Sequence, residues 1–170
     1  RALDGNTNDY NLYYKIASSL KEINKQDEAV RTLNELIKQK PDHYEASLLL
    51  IDILYEKENF KEAVTVCVNA MKYKPGDYEL YYNLGMLYTR LNDFQSAKEY
   101  YEKAAELNSI LHNVKYNLGQ IALIYNELEE AEEYFMECIN EDCLEEGSNY
   151  YLAYIQMLKG EREKAITYLN

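Results

Sequence analysis

Residues 78–109 read YELYYNLGMLYTRLNDFQSAKEYYEKAAELNS. Apolar residues recur at spacings of three and four on both sides of the polar pair Asn92-Asp93, the mark of two amphipathic helices joined by a tight turn. Counting Tyr78 as position 1, the landmarks are Tyr81 at position 4, Leu84 at 7, Gly85 at 8, Ala97 at 20, Tyr101 at 24 and Ala104 at 27. A step of 34 residues in either direction returns the same pattern, starting at Tyr10, Tyr44, His112 and Glu146, with no insertion. Position 20 is alanine every time: Ala29, Ala63, Ala97, Ala131 and Ala165. Position 8 is Gly or Ala except at Ile51, and the expectation is that small residues at 8 and 20 meet so that two helix axes approach closely. Pro41 and Pro75 at position 32 stop one helix before the next begins. The turns within each pair are short and polar: Asn24-Lys25, Glu58-Asn59, Asn92-Asp93, Asn126-Glu127 and Gly160-Glu161. Asn59 and Asp93 are placed to cap the second helices.

The period, with its small, Tyr and Pro positions, resembles the tetratricopeptide repeat family across residues 10–170. The family's Trp at position 4 is replaced by Tyr13 and Tyr81, and Ser47, Lys115 and Asn149 depart from it. Position 32 is Ser109 and Cys143 in the later repeats. The resemblance implies an all-α fold, a right-handed superhelical solenoid of antiparallel helix pairs. The repeats are then 10–43, 44–77, 78–111, 112–145 and a truncated fifth at 146–170, preceded by the tail of an earlier repeat helix at 1–9. They form a single continuous repeat domain in which each repeat packs on its neighbours. With no Met start and no polar capping helix in view, the expectation is a fragment of a longer protein.

The chain carries a net charge of −12, nineteen Tyr and no Trp. That balance disfavours acidic ligands and nucleic acid, for which there is no basic patch beside the aromatics. No long apolar run suggests a membrane segment. Three cysteines do not make a disulfide scaffold. Cys67 and Cys138 fall at inward positions, Cys143 in a linker, and no metal-ligand spacing is present, which points to no metal, no cofactor and a reducing, cytoplasmic setting. His43 and His112 fall at repeat boundaries and read as surface or linker residues, and no nucleophile–base–acid set accompanies them, so an enzyme is not expected. From Glu127 to Glu146 there are ten Asp or Glu and no Lys or Arg. Such a tract reads as a solvated outer face or as a contact for a basic partner.

In the architecture the resemblance implies, the first helix of each repeat lines a concave groove. Position 5 is then Tyr14, Leu48, Tyr82, Tyr116 and Tyr150; position 6 includes Leu49, Asn83, Asn117 and Tyr151; position 9 includes Met86, Gln120 and Tyr154. Tyr supplies rigid contact area with one hydroxyl, and Asn pairs with a peptide main chain through both halves of its amide. Equally, Tyr at position 5 can pack between adjacent first helices, and Asn at position 6 can be structural. Some members of the family grip a C-terminal carboxylate with basic residues and Asn; here positions 2 and 6 of repeats 3 to 5 hold no Lys or Arg, so that clamp is not assembled. The leading expectation is an interaction scaffold that holds an apolar or basic protein or peptide segment in the groove. The alternatives are a structural or end-to-end self-associating spacer, and a substrate-recruiting arm of an enzyme whose catalytic domain lies elsewhere.

Overall fold

The computed structural model describes residues 9–108, 112–140 and 145–169, with backbone alone for His112 and Glu145. The expected helix tail at 1–9 therefore lies almost wholly outside the described residues, as do Ser109 and Cys143. Among the described residues every regular element is an α-helix. They are α1 (Tyr10–Glu22), α2 (Gln26–Gln39), α3 (Tyr44–Glu56), α4 (Phe60–Met71), α5 (Tyr78–Arg90), α6 (Phe94–Leu107), α7 (His112–Ile124), α8 (Leu128–Asn140), α9 (Glu145–Leu158) and α10 (Arg162–Leu169). The chain divides into two compact units, 1–83 and 84–170, and the division falls inside α5. In the first unit α1 packs on α2, α2 on α3 and α3 on α4. In the second, α6 packs on α7, α7 on α8, α8 on α9 and α9 on α10.

The reversal within each pair is set by one residue. Position 15 is left-handed in every repeat: Asn24 at φ 60°, Glu58 at 59°, Asn92 at 59°, Asn126 at 61° and Gly160 at 80°. The next amide then reaches back to a carbonyl of the last helical turn. Lys25 N–H donates to Leu20 at 2.8 Å, Asn59 to Leu54 at 2.8 Å, Asp93 to Tyr88 at 3.0 Å, Glu127 to Ala122 at 2.8 Å and Glu161 to Gln156 at 2.8 Å. These are five Schellman endings in register, closing the orphan carbonyls of each first helix. The second helix starts at once: the position-20 amides of Ala29, Ala63, Ala97, Ala131 and Ala165 donate to the position-16 carbonyls at 3.0–3.1 Å. Of the two expected caps, Asp93 accepts from Ser96 N–H at 3.2 Å, but Asn59 makes no side-chain cap bond.

Packing at position 8 involves a residue the sequence reading did not pair with it. A Cβ built on Gly85 would lie 2.5 Å from Tyr101 Cδ1, and one on Gly119 would lie 2.8 Å from Phe135 Cζ. The side chain that comes nearest to position 8 is thus the ring at position 24. Side-chain sizes at the two positions run in opposite senses along the chain. Gly faces an aromatic ring twice, Ala17 goes with the buried Leu33 and the exceptional Ile51 with the buried Cys67, while Leu169, in register with Ala153, is mostly exposed. Close-packed interiors require such compensation, since volume added on one helix must be removed from the other. The alanines at position 20 are buried, none more than 2% exposed.

In the second unit the resulting core gathers Ala122, Ala131, Phe135, Leu152 and Ile155, flanked by Tyr116, Tyr151 and Tyr168. Each large side chain so buried contributes roughly 1.5–3 kcal/mol. In the first unit Leu50 and Ile51 are buried while Leu48 and Leu49 remain half-exposed, which divides the apolar run of α3 between core and surface. His43, expected at the surface, is 8% exposed: its Nδ1 caps α3 by accepting from Ala46 N–H at 3.2 Å, and its ring stacks on Tyr14 at 5.8 Å.

Candidate functional site: the face of the first helices

The candidate residues sit on α1, α3, α5, α7 and α9, one first helix per repeat. Their side chains do not behave alike. Tyr14 is half-buried against His43. Leu48, Leu49, Tyr82 and Asn83 are half-buried in the first unit, and Met86 in the second. Tyr116 meets Phe135 edge-on at 5.7 Å and Tyr151 at 5.8 Å, and Gly147 makes room for its hydroxyl, since a Cβ there would stand 2.8 Å from it. Tyr116 is therefore held largely by its own chain. Burial, helped by Tyr151, raises its hydroxyl pKa above the ordinary range.

Four candidates do come together. Asn117, Gln120, Tyr151 and Tyr154 line one concavity of about 370 Å³ in the second unit, joined by Thr89, Leu123 and Ile124. Gln120 Nε2 donates to the Tyr151 hydroxyl at 3.0 Å, and the Tyr151 ring stacks on Phe135 at 4.9 Å, so this wall is fixed from two directions. Tyr154 is 48% exposed and Ile124 53%, so the lining offers uncovered apolar area. The concavity thus combines one free amide face, one anchored phenol and an apolar rim, which suits a chain segment with an apolar side chain and main-chain polar groups. Ile124, at position 13, is an addition to the candidate set; its signal in the sequence is an isoleucine at the end of an amphipathic helix, off the buried stripe.

In the first unit Lys21, at position 12 of its repeat, is spent internally. Lys21 pairs with Asp52, and with Glu56 at 2.9 Å. Much of the acidic tract on α8 is likewise partnered. Lys98 holds Glu130 at 3.0 Å, Lys159 holds Glu132 at 2.6 Å and Lys115 holds Glu137 at 2.9 Å. Hydrogen bonds from Lys98 and Lys159 keep Glu130 and Glu132 below the usual carboxylate range. Burial, with Asp77 nearby, pushes the Cys67 thiol up to about 12, and the thiol donates to the Leu80 carbonyl at 3.2 Å, so it is a packed group and not a nucleophile. Cys67 and Cys138 are both buried. Among the described residues no cluster of three His, Cys, Asp or Glu suits a metal ion, and no helix is long and apolar enough to cross a membrane.

Tetratricopeptide repeat models match residues 24–84, 78–110 and 112–142. No curated protein sequence matches the chain. Solved structures similar to it include a MamA protein (21% identity over 94% of this chain and 87% of that one, TM-score 0.85). YrrB, described as a TPR protein with an unusual peptide-binding site, is 23% identical over 92% of this chain and 81% of its own, with a TM-score of 0.76. PilF of Pseudomonas aeruginosa is 16% identical over 94% and 72%, with a TM-score of 0.78. The 34-residue register, the five identical helix endings and these matches agree: the chain belongs to the tetratricopeptide repeat family.

Proposed function

We propose that the chain is a non-catalytic protein-interaction scaffold that holds a peptide segment on the face of its first helices. The observation that carries this reading is the concavity at Asn117, Gln120, Tyr151 and Tyr154, with one wall fixed by the Gln120–Tyr151 hydrogen bond. The groups on offer are an amide for the peptide main chain and uncovered aromatic and aliphatic area for a side chain. The net charge of −12 favours a segment that is apolar or basic. That YrrB is described as having a peptide-binding site lends the reading support by likeness. The test is a titration of peptides selected for binding against the wild type and an Asn117→Ala/Tyr154→Ala variant. Loss of an anchor aromatic and its neighbouring amide weakens binding about tenfold or more, ~1.4 kcal/mol. Equal affinity for both proteins refutes the location.

A second reading has its own observation. Tyr150, Met157 and Leu158 on α9, with Ile166 and Leu169 on α10, are each at least half exposed (50–64%). At position 24, Leu169 is 64% exposed where Phe135 of the preceding repeat is fully buried. A second copy of the chain covering this face gives end-to-end self-association. Light scattering over a range of concentrations, with Ile166→Glu/Leu169→Glu alongside, reads it directly: a strict monomer at all concentrations removes it.

A further inference from the structure

Position 4 is filled differently in successive repeats. In repeat 3 the Tyr81 hydroxyl donates to the Pro75 carbonyl at 3.2 Å, which brings the phenol over the end of the preceding repeat. In repeat 4 Lys115 reaches Glu137 at 2.9 Å. In repeat 2 the residue is Ser47, 2% exposed, and its hydroxyl turns back to the His43 carbonyl at 3.3 Å. No ring follows it outward. In its place lies a concavity of about 440 Å³ lined by Ser47, Pro41, Leu50, Val66, Ala70 and Tyr73. Pro41 stands in the same register to Ser47 as Pro75 does to Tyr81.

We propose that this concavity is a docking site for a tyrosine side chain of a partner protein. The occupant is defined by what the chain itself supplies one repeat later, a phenol seated against the position-32 proline. The size fits: an apolar cavity of ~150 Å³ holds one benzene ring, and the remainder accommodates the approach of the chain that carries it. The floor is apolar, from Leu50, Val66 and Ala70, and Tyr73 at the rim is 53% exposed and offers a face to stack on. Asn34 from α2 and Asn69 from α4 also line it; the Asn69 carbonyl already accepts from Lys72 at 2.8 Å, which leaves the Asn34 amide and the Asn69 NH2 to pair with the main chain beside the inserted residue. The adjoining wall is rigid. The Tyr44 hydroxyl lies 2.8 Å from an Asp77 carboxylate oxygen and 2.9 Å from one of Glu79, with one proton to share between them, and the Lys74 ammonium lies 3.5 Å over its ring. This site is bounded by α2, α3 and α4 and shares no lining residue with the concavity at Asn117, Gln120, Tyr151 and Tyr154.

The experiment is a methyl NMR titration of the full chain with p-cresol and with acetyl-Gly-Tyr-Gly-amide, following Leu50, Val66 and Ala70. Acetyl-Gly-Ala-Gly-amide is the control peptide. Both phenolic probes should shift these methyls saturably and the control should not. Ser47→Ala, which leaves the space open, should retain binding within about twofold, whereas Ser47→Tyr, which fills it, should weaken binding about tenfold or more. Ser47→Leu is a smaller filler that gives the same sign should the tyrosine variant fold poorly. The proposal is overturned if neither phenolic probe shifts these residues, if the filled variants bind as well as the wild type, or if p-cresol binds and the tyrosine peptide does not.

Discussion

Replacing Gly85 by alanine adds one methyl to a space already taken. The new Cβ would stand 2.5, 2.6 and 2.8 Å from three ring carbons of Tyr101, which is 2% exposed and has little room to withdraw. Overpacking of this kind costs about 1–3 kcal/mol. Against it stands the gain from removing a helical glycine, roughly 0.8–1 kcal/mol. The net expectation is a loss of about 0–2 kcal/mol, where an uncrowded helix position would gain stability. The sign therefore depends on the ring. In a Tyr101→Leu background, which imitates the Ala17 and Leu33 pairing, Gly85→Ala should become stabilising by ~0.8–1 kcal/mol. Urea denaturation of the wild type, both single variants and the double variant closes the cycle, with an expected coupling of about 1–3 kcal/mol. If Gly85→Ala stabilises both backgrounds equally, position 8 does not pack on position 24 and the compensation described here is wrong.

Other expectations follow from the same geometry. Glu58 holds a left-handed φ of 59° where a side chain is strained, so Glu58→Gly should raise stability by roughly 0.5–1 kcal/mol in thermal denaturation. Asp93→Ala removes a cap bond and should cost ~0.5–2 kcal/mol, while Asn59→Ala, with no cap bond to lose, should cost measurably less. Glu130 is held below its ordinary value of 4.5 by Lys98, so the unfolded chain takes up the proton first. The stabilisation is present above that value and is lost as pH falls through the lower folded one. Wild type and Lys98→Met should thus differ most in Tm near neutral pH and converge in acid; a constant difference down to about pH 3 would argue against the pair. The buried Cys67 thiol, pushed up to about 12, should react with a thiolate-selective reagent at pH 8 only at the rate at which the chain opens.

Much of the architecture was legible in the residues because it rests on periodicity. The five alanines at position 20 and the spacing of apolar residues give helices, pairs and register directly. The left-handed turn residue was half legible: Asn24, Asn92, Asn126 and Gly160 advertise it, and Glu58 hides it. That the ring at position 24 crowds position 8 was not legible, since Gly85 by itself does not say how large its neighbours are. His43 misled for a similar reason. A boundary position suggests solvent, yet its imidazole is buried as a helix cap under Tyr14. The position-5 tyrosines show the same limit. Spacing puts them on one helix face, but neighbours decide whether a ring is covered, as Tyr116 is by Phe135 and Tyr151, or open, as Tyr150 is. The concavity beside Ser47 was legible only as a departure from the repeat. That a missing ring leaves a space, and not a collapsed core, depends on how α2, α3 and α4 are held apart.

The central claim is that the face of the first helices binds a peptide segment. The direct measurement is to pan a random 12-residue peptide library against the wild type and against Asn117→Ala/Tyr154→Ala, then determine affinities for the enriched sequences. The expected result is enrichment of segments carrying Lys or Arg among apolar residues, with affinity for the variant weaker by about tenfold or more. No enrichment, or peptides that bind both proteins equally, would contradict the account.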